Sequence, residues 1–213
     1  MIDTIIFDAE GVVFDSEAAW DKGQIEFLGR RGIVYEREKL KPLLTGRSLV
    51  EGVRVMQEIY GFSGDPEALA KERRGLVSQF FKDGLSFIEG FLEFYQTMRG
   101  HYKTCIATAL TGDLLAIVER TLDLPNLFSG NLFSIADVGN IGKPQPDIFL
   151  YAAEKLLAPV EHCLVIEDAP LGVEAAKRAG MKCIALTTTY KREMLSAADW
   201  VVDGYKAIDL SIV

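Results

Sequence analysis

The sequence predicts an α/β fold, in which helices cover both faces of a parallel sheet and an all-helical cap is inserted after the first strand. Over residues 83–213, short and unbroken apolar runs alternate with amphipathic helical stretches, which is typical of parallel strands buried on both faces. Residues 4–7 have the same buried-strand character. Between these segments, residues 16–82 show helical periodicity alone, so we expect a second domain grafted into the first.

The helices and strands of the core are predicted from the spacing of apolar residues and from residues that typically begin or end a helix. Pro146 signals the start of a helix over 147–157, and Gly180 ends a small-residue helix over 172–179. Apolar residues at helical spacing predict a further helix over 112–121. Apolar runs predict strands at 4–7, 102–107, 132–135, 162–166, 182–186 and 200–202.

The inserted segment contains two clear amphipathic stretches, which predict helices over 49–60 and 66–81. We expect the chain to cross between the two domains near residues 14–17 and 82–86. The predicted domains are an α/β core, residues 1–15 and 83–213, and a helical cap, residues 16–82.

Composition excludes several classes of protein. With 49% hydrophobic and 25% charged residues, the chain has the composition of a folded globular protein rather than a disordered one. Its 23 basic and 31 acidic residues give a net charge of −8, which disfavours general nucleic-acid binding because neutralising phosphates requires Lys and Arg. No apolar run approaches the ~18 residues that a membrane span requires, and the N-terminal residues do not read as a signal peptide.

The cysteine pattern points to a reducing compartment. Cys105, Cys163 and Cys183 lie far apart in apolar runs, without metal-ligand spacing. We interpret them as reduced, buried thiols and expect a cytoplasmic protein with no membrane association. Nothing in the sequence implies a protein partner.

Acidic residues follow two of the predicted strands, at the edge of a parallel sheet where ligands bind. Asp8 and Glu10 follow the first strand and could act as nucleophile and general acid or base, although acidic residues are also common in ordinary turns. Glu167 and Asp168 follow a buried strand, where adjacent carboxylates are costly unless they are paired or bind a cation. Ligation by oxygen atoms alone suits Mg²⁺, so these residues predict a magnesium site.

Two further strand ends suit an anion. Thr108 and Ala109 precede the helix over 112–121, where a hydroxyl and free backbone N–H groups can bind phosphate or can simply cap the helix. Lys143 stands beside two prolines that restrict the backbone and would aim its side chain, although it can equally be a surface charge.

In this order along the chain, these residues resemble the haloacid dehalogenase-like superfamily. FDAEGVVFDSE is similar to the first motif of that superfamily, IATA to the second, GKPQPDIF to the third and VIEDAPLGVEAAKRAGM to the fourth. The resemblance covers nearly the whole chain. It is closest to the branch of small phosphatases and β-phosphoglucomutases that carry a helical cap after the first motif, and it implies a Rossmann-like core.

The resemblance also implies a role for each strand end. Asp8 would attack phosphorus and become an aspartyl-phosphate, and Glu10 would protonate the leaving oxygen and then activate water. Mg²⁺ would be held by Asp8, the backbone carbonyl of Glu10, Glu167 and Asp168, with Asp168 the more direct ligand of the last two. The groups implied to hold the phosphoryl oxygens are Thr108, the backbone N–H of Ala109, and Lys143.

Two positions depart from the family pattern. Glu10 stands where the family has aspartate, and the extra methylene would move the carboxyl by about 1.5 Å. Such a residue can work from an adjusted rotamer, can slow the enzyme, or can belong to a binding protein that keeps the fold and the metal. Trp20 stands about where β-phosphoglucomutases have a histidine, which favours a hydrolase over a mutase.

We therefore predict a Mg²⁺-dependent phosphohydrolase of a small phosphorylated metabolite, such as a sugar phosphate. Two alternatives stay open, a β-phosphoglucomutase-type mutase and a catalytically impaired phosphometabolite-binding protein. Basic residues of the cap, Arg73 among them, are interleaved with acidic ones, and a solvated surface is the default expectation for most of them. Arg47 is the exception, because an arginine in the predicted loop Thr45-Gly46-Arg47-Ser48 can make a bidentate contact to an anion. The cap residues expected to face the substrate are Trp20, Gln24, Arg47 and Ser48.

Overall fold

The computed structural model describes residues 1–44, 47–82 and 84–212. Its strands are β1 (Thr4–Phe7), β2 (Phe14–Asp15), β3 (Ser86–Phe87), β4 (Lys103–Thr108), β5 (Leu132–Ser134), β6 (Cys163–Glu167), β7 (Lys182–Leu186) and β8 (Trp200–Val202). Within the described residues, six of them form one sheet in the order β5-β4-β1-β6-β7-β8, and every neighbouring pair in it is parallel. The predicted fold class is confirmed.

The helices alternate with these strands in the core and run consecutively in the inserted segment. They are α1 (Glu17–Gly29), α2 (Arg37–Leu44), α3 (Leu49–Tyr60), α4 (Pro66–Phe81), α5 (Phe91–Met98), α6 (Gly112–Thr121), α7 (Leu124–Leu127), α8 (Asp147–Lys155) and α9 (Pro170–Arg178).

Both faces of the sheet are buried, which explains the unbroken apolar runs of its strands. Ile5 and Phe7 point to one face, where they join the apolar cluster that includes Phe91 of α5. Ile6 points to the opposite face and packs in a second cluster with Ile148 of α8 and residues of α9. Every residue of β1 is therefore buried, so neither face of this strand is exposed to solvent.

The register of β1 positions the ends of three strands side by side. Phe7 pairs with Ile106 of β4 on one side and with Ile166 of β6 on the other. Asp8, the residue after β1, therefore lies beside Glu167 at the carboxyl edge of the sheet, where ligands bind in folds of this kind.

The helices α1 to α4 have an apolar core of their own. Its buried residues are Phe27, Leu28, Leu40, Val53, Met56, Ala70 and Leu76. The antiparallel pair β2–β3 lies where the chain leaves and re-enters the core, close to the predicted crossings at 14–17 and 82–86. We propose residues 16–82 as the cap for this reason; Asp83 and Val213, which belong to the predicted core range, lie outside the described residues.

The sequence prediction misses some short elements. The bounds of the predicted core strands and helices differ from the observed ones by two residues or fewer. The helix α5 is absent from the prediction because it has only eight residues, a length at which an apolar segment is difficult to assign as helix or strand. The pair β2–β3 is absent because two-residue strands give none.

Two expectations about the whole chain can be compared with the structure. Cys105, Cys163 and Cys183 are all buried and free, as predicted. Across the described part of the chain, every helix is too short or too polar to cross a bilayer.

Candidate active site

Three buried carboxylates meet at the carboxyl edge of the sheet. Asp8 follows β1, Glu167 ends β6 and Asp168 comes next in the chain. Their exposed fractions are 7%, 1% and 3%. One carboxylate oxygen from each residue lies within 4.8 Å of those of the other two, so the parallel register converts three distant sequence positions into one acidic cluster.

Lys143 joins two of these carboxylates. Its Nζ lies 2.5 Å from Oδ1 of Asp8 and 2.5 Å from Oε1 of Glu167. The ammonium also lies 4.9 Å from the ring centroid of Phe149 on α8, a cation–π contact that helps to hold a buried charge. Burial by itself lowers the pKa of Lys143, but the two carboxylates raise that pKa above its ordinary value, so the lysine is charged.

The side chain of Glu167 is fully engaged with protein donors. Its Oε1 accepts from Lys143, and its Oε2 accepts from the backbone N–H groups of Asp168 at 2.8 Å and Ala169 at 3.0 Å. Ala169 is the residue before α9. Glu167 therefore holds Lys143 and the start of α9, whereas Asp8 and Asp168 keep oxygen atoms for a cation.

The charge balance of the cluster fits a divalent metal ion. If all three carboxylates ionise beside the one ammonium, two negative charges are left uncompensated (−3 + 1 = −2). Burial raises the pKa of Asp8 to about 7, against the lowering effect of Lys143, and burial raises the pKa of Asp168 well above its ordinary range, with Glu167 and Asp8 adding to it. A buried set of oxygen donors with this excess charge suits Mg²⁺.

Two glycines leave room for these carboxylates. Gly11 has φ +73°, and an ideal Cβ there would lie 1.9 Å from Oδ2 of Asp168. An ideal Cβ at Gly172, in the first turn of α9, would lie 1.8 Å from Oε1 of Glu167. Both distances are far inside van der Waals contact, so the backbone can approach the acidic cluster only where a side chain is missing.

Glu10 is held by two residues at the start of the cap. Its Oε1 accepts hydrogen bonds from Oγ of Ser16 at 2.6 Å and from Nε1 of Trp20. Burial raises the pKa of Glu10, and these two hydrogen bonds oppose the rise. Both donors use the same oxygen, so Oε2 is the oxygen that can exchange a proton with a ligand.

The two positions that depart from the family pattern, Glu10 and Trp20, are thus in direct contact. From the sequence alone the two are considered separately, and Trp20 is expected to face the substrate. The indole packs edge-on against Phe81, with ring centroids 5.8 Å apart. Its role as a hydrogen-bond donor to Glu10 was missed, and the coincidence of the two departures is the signal that could have indicated it.

A cavity of about 830 Å³ lies between this edge of the sheet and the cap. Glu10, Asp168 and Ala109 line it from the core. The four predicted cap residues also line it: Trp20, Gln24, Arg47 and Ser48. Thr108 lies just behind Ala109, where its buried Oγ1 accepts from the backbone N–H of Leu110 at 3.0 Å.

Three of these cap residues make hydrogen bonds to other residues of the cap. Ser48 caps α3 in a reciprocal pair with Glu51, and Nε of Arg47 donates to the carbonyl of Leu43 at 2.9 Å. Oε1 of Gln24 accepts from Nε of Arg73 at 3.1 Å. Thr45 and Gly46, which precede Arg47 in the predicted anion-binding loop, lie outside the described residues.

One expectation about the cap is wrong. Arg73, which is expected at the solvated surface, is 4% exposed and lines the cavity. Its position on the inner side of α4, facing α1, accounts for the burial.

The sequence model of the haloacid dehalogenase-like hydrolase family matches residues 2–180, which confirms the resemblance seen in the motifs. The chain is 33% identical to SUPPRESSOR OF QUENCHING 1, a chloroplastic protein of Arabidopsis thaliana, over 92% of this chain and 19% of that protein. It therefore spans about one-fifth of this relative.

Two further similarities cover most of both partners. The chain is 30% identical to the phosphorylated carbohydrates phosphatase of Thermotoga maritima, over 86% of this chain and 84% of that protein. The structure of β-phosphoglucomutase from Clostridium difficile superposes with a TM-score of 0.84 at 22% identity, covering 100% of this chain and 95% of that chain. The second similarity is one of fold.

Gly172→Ala tests the close approach of α9 to Glu167. The added methyl group must displace the Glu167 carboxylate, so we expect the free energy of unfolding to fall by about 1–3 kcal/mol. The matched control is Gly75→Ala in α4, where nothing lies within 4 Å of an ideal Cβ; it should stabilise by about 0.5–1 kcal/mol. Urea denaturation measures both, and equal stability of the two variants would contradict the tight fit.

Proposed function

Because this chain belongs to the haloacid dehalogenase-like hydrolase family, we propose that it is a Mg²⁺-dependent phosphatase of a small phosphorylated metabolite, such as a sugar phosphate. The observation that carries the proposal is the buried cluster of Asp8, Lys143 and Asp168, which reaches the cavity through Asp168. Similarity to a phosphatase of phosphorylated carbohydrates supports the same class of substrate.

Asp8 is the proposed nucleophile. Its Oδ1 accepts from Lys143, and its Oδ2 has no hydrogen-bond partner among the described residues, so Oδ2 is available to attack phosphorus. As the bond from Oδ2 to phosphorus forms, the ester P–O bond breaks and the alcohol leaves with a proton. Water then attacks the aspartyl-phosphate, which releases inorganic phosphate and regenerates the carboxylate.

Asp8, Asp168 and the backbone carbonyl of Glu10 are the proposed ligands of Mg²⁺, and Glu167 organises the site through Lys143. Bound Mg²⁺ supplies positive charge that offsets the repulsion between the attacking carboxylate and the phosphate dianion. Lys143 adds a second, permanently placed positive charge beside Asp8, where transition-state charge develops on the phosphoryl oxygens. The other groups proposed to hold those oxygens are Thr108 and the backbone N–H of Ala109.

Glu10 is the proposed general acid and base. Because Ser16 and Trp20 both bind Oε1, the proton would be carried on Oε2, given to the leaving oxygen and recovered from the attacking water. The raised pKa of Glu10, caused by burial, favours a protonated carboxyl before the first step. The hydrogen bond from Trp20 therefore ties the position of the acid to the position of the cap.

We also propose a cytoplasmic location. Three free, buried cysteines are compatible with a reducing compartment, in which they remain thiols. The proposed partner is the phosphorylated substrate alone.

The activity is tested by incubating the protein with a panel of phosphorylated metabolites, with Mg²⁺ or with EDTA, and measuring inorganic phosphate. We expect release from at least one sugar phosphate that stops with EDTA and returns with Mg²⁺. Asp8→Asn, which is near-isosteric, should lower turnover by more than about a thousandfold without unfolding the protein.

Three results would contradict this proposal. Absence of metal-dependent release from every compound would argue against a phosphatase. Phosphate retained on an isomerised sugar would indicate a mutase. Thermal stabilisation by a compound that is never turned over would indicate a binding protein.

Glu10→Asp tests whether the site is adapted to glutamate. The shorter side chain draws the carboxyl back by about 1.5 Å from Ser16, Trp20 and the leaving oxygen, so kcat should fall about 10–100-fold. KM should change less, because the residues proposed to bind the phosphate are untouched. Glu67→Asp, the same change at an exposed position lining the cavity, should leave steady-state kinetics unaltered. A rise in kcat for Glu10→Asp would show that glutamate is a handicap here.

A further inference from the structure

Arg73 is a buried cation with no ion pair among the described residues, although the Glu10 carboxylate attracts it from beyond 4.0 Å. It is 4% exposed, and its Nε donates to the neutral amide oxygen of Gln24 at 3.1 Å. Within the described ranges, no carboxylate oxygen lies within 4.0 Å of its guanidinium. A buried charge of this kind is costly unless something of opposite sign accompanies it.

Other cap arginines show the usual arrangement. Nη2 of Arg31 lies 2.6 Å from Glu72, and Arg37 reaches both Glu17 at 2.6 Å and Asp21 at 2.8 Å. All of these partners are partly exposed, where pairing matters least for stability. Arg31 and Arg37 are thus paired with carboxylates, whereas Arg73, which is more buried than either, has a neutral hydrogen-bond partner.

Contacts with two helices, α1 and α3, fix the direction of the Arg73 side chain. Gln24 on α1 accepts from Nε, and the indole of Trp20 lies with its centroid 5.1 Å from the guanidinium carbon. On α3, an ideal Cβ at Gly52 would lie 2.9 Å from Nη1, so the glycine leaves room for the guanidinium. The Nη1 and Nη2 groups have no acceptor in the described part of the chain, and Arg73 lines the cavity.

We propose that Arg73 binds a second anionic group of the substrate, a carboxylate or a second phosphate, distinct from the phosphoryl group transferred to Asp8. This inference rests on the proposed function and narrows its substrate class. Two adjacent guanidinium N–H groups match the paired oxygens of a carboxylate or phosphate. A sugar hydroxyl could accept one hydrogen bond but would leave the buried charge uncompensated.

The position of Trp20 limits the length of the substrate. Its Nε1 contacts Glu10, which is proposed to protonate the leaving oxygen, and its ring face contacts Arg73. The leaving oxygen and the second anion are therefore separated by about the width of one indole and its contacts. This spacing fits a short phosphorylated acid or a sugar bisphosphate.

The test compares compounds that differ only by a second anion. The pairs are glycerol 3-phosphate with 3-phosphoglycerate, and fructose 6-phosphate with fructose 1,6-bisphosphate. Titration calorimetry with Mg²⁺ and Asp8→Asn protein measures binding without turnover, with Arg73 intact or changed to Met. The two pairs distinguish a carboxylate from a phosphate as the preferred second group.

With Arg73 intact, we expect the member with two anionic groups to bind about tenfold tighter or more than its partner in at least one pair. Arg73→Met should remove that advantage and change the affinity of the other member by less than about threefold. Arg73→Lys should retain part of it, because the charge remains while the paired donors are lost. The matched control is Arg54→Met, an exposed arginine lining the same cavity, which should retain the advantage.

Thermal denaturation shows whether Arg73→Met loses affinity because it loses a binding group or because the protein is destabilised. Removing an uncompensated buried charge should leave the melting temperature of Arg73→Met equal to or above that of its parent. The preferred compound with two anionic groups should then raise the melting temperature of the parent and not that of Arg73→Met.

Several outcomes would overturn the inference. These are equal affinity within both pairs, equal weakening of both members by Arg73→Met, a larger loss from Arg54→Met, and binding by none of the four compounds. If a compound binds selectively and through Arg73 but the unaltered protein releases no phosphate from any compound, the anion site is supported and the phosphatase proposal is wrong. Phosphate release with no preference within either pair would do the reverse.

Discussion

The ion cluster of Asp8, Lys143 and Glu167 is the interaction on which the rest of the site depends. Each carboxylate that leaves water costs several kcal/mol unless charge and hydrogen bonds replace its hydration. Lys143 bonds to two of the carboxylates, and Glu167 also accepts from the start of α9. What remains is an excess of negative charge on Asp8 and Asp168, which a divalent cation could balance.

The backbone and the cap are arranged around this cluster. Gly11 and Gly172 allow the chain to pass where any side chain would strike a carboxylate. From the core outward, Glu10 contacts Trp20, and Trp20 contacts Arg73. The first helix of the cap therefore contacts Glu10 of the core with the Nε1 atom of its indole and the buried cation Arg73 with the face of the same ring.

Much of this could be predicted from the sequence because it depends on local pattern. Apolar runs locate β1 and β6, and the polar residues that follow them must meet once the strands are parallel. The Trp20–Glu10 contact and the burial of Arg73 could not be predicted in this way. Both depend on how α1, α3 and α4 pack against one another and against the core, and an arginine in an amphipathic helix has the same local pattern whether it is paired at the surface or buried.

The most direct test of the account is calorimetric titration of Mg²⁺ into the unaltered protein and into Asp168→Asn, with the melting temperature of each measured without metal. The account predicts binding to the unaltered protein and at least about tenfold weaker binding to Asp168→Asn. It also predicts that metal-free Asp168→Asn melts at the same or a higher temperature, because one excess buried charge is gone. Equal Mg²⁺ affinity of the two proteins, or no binding to either, would contradict the central claim that the buried negative charge exists to hold a cation.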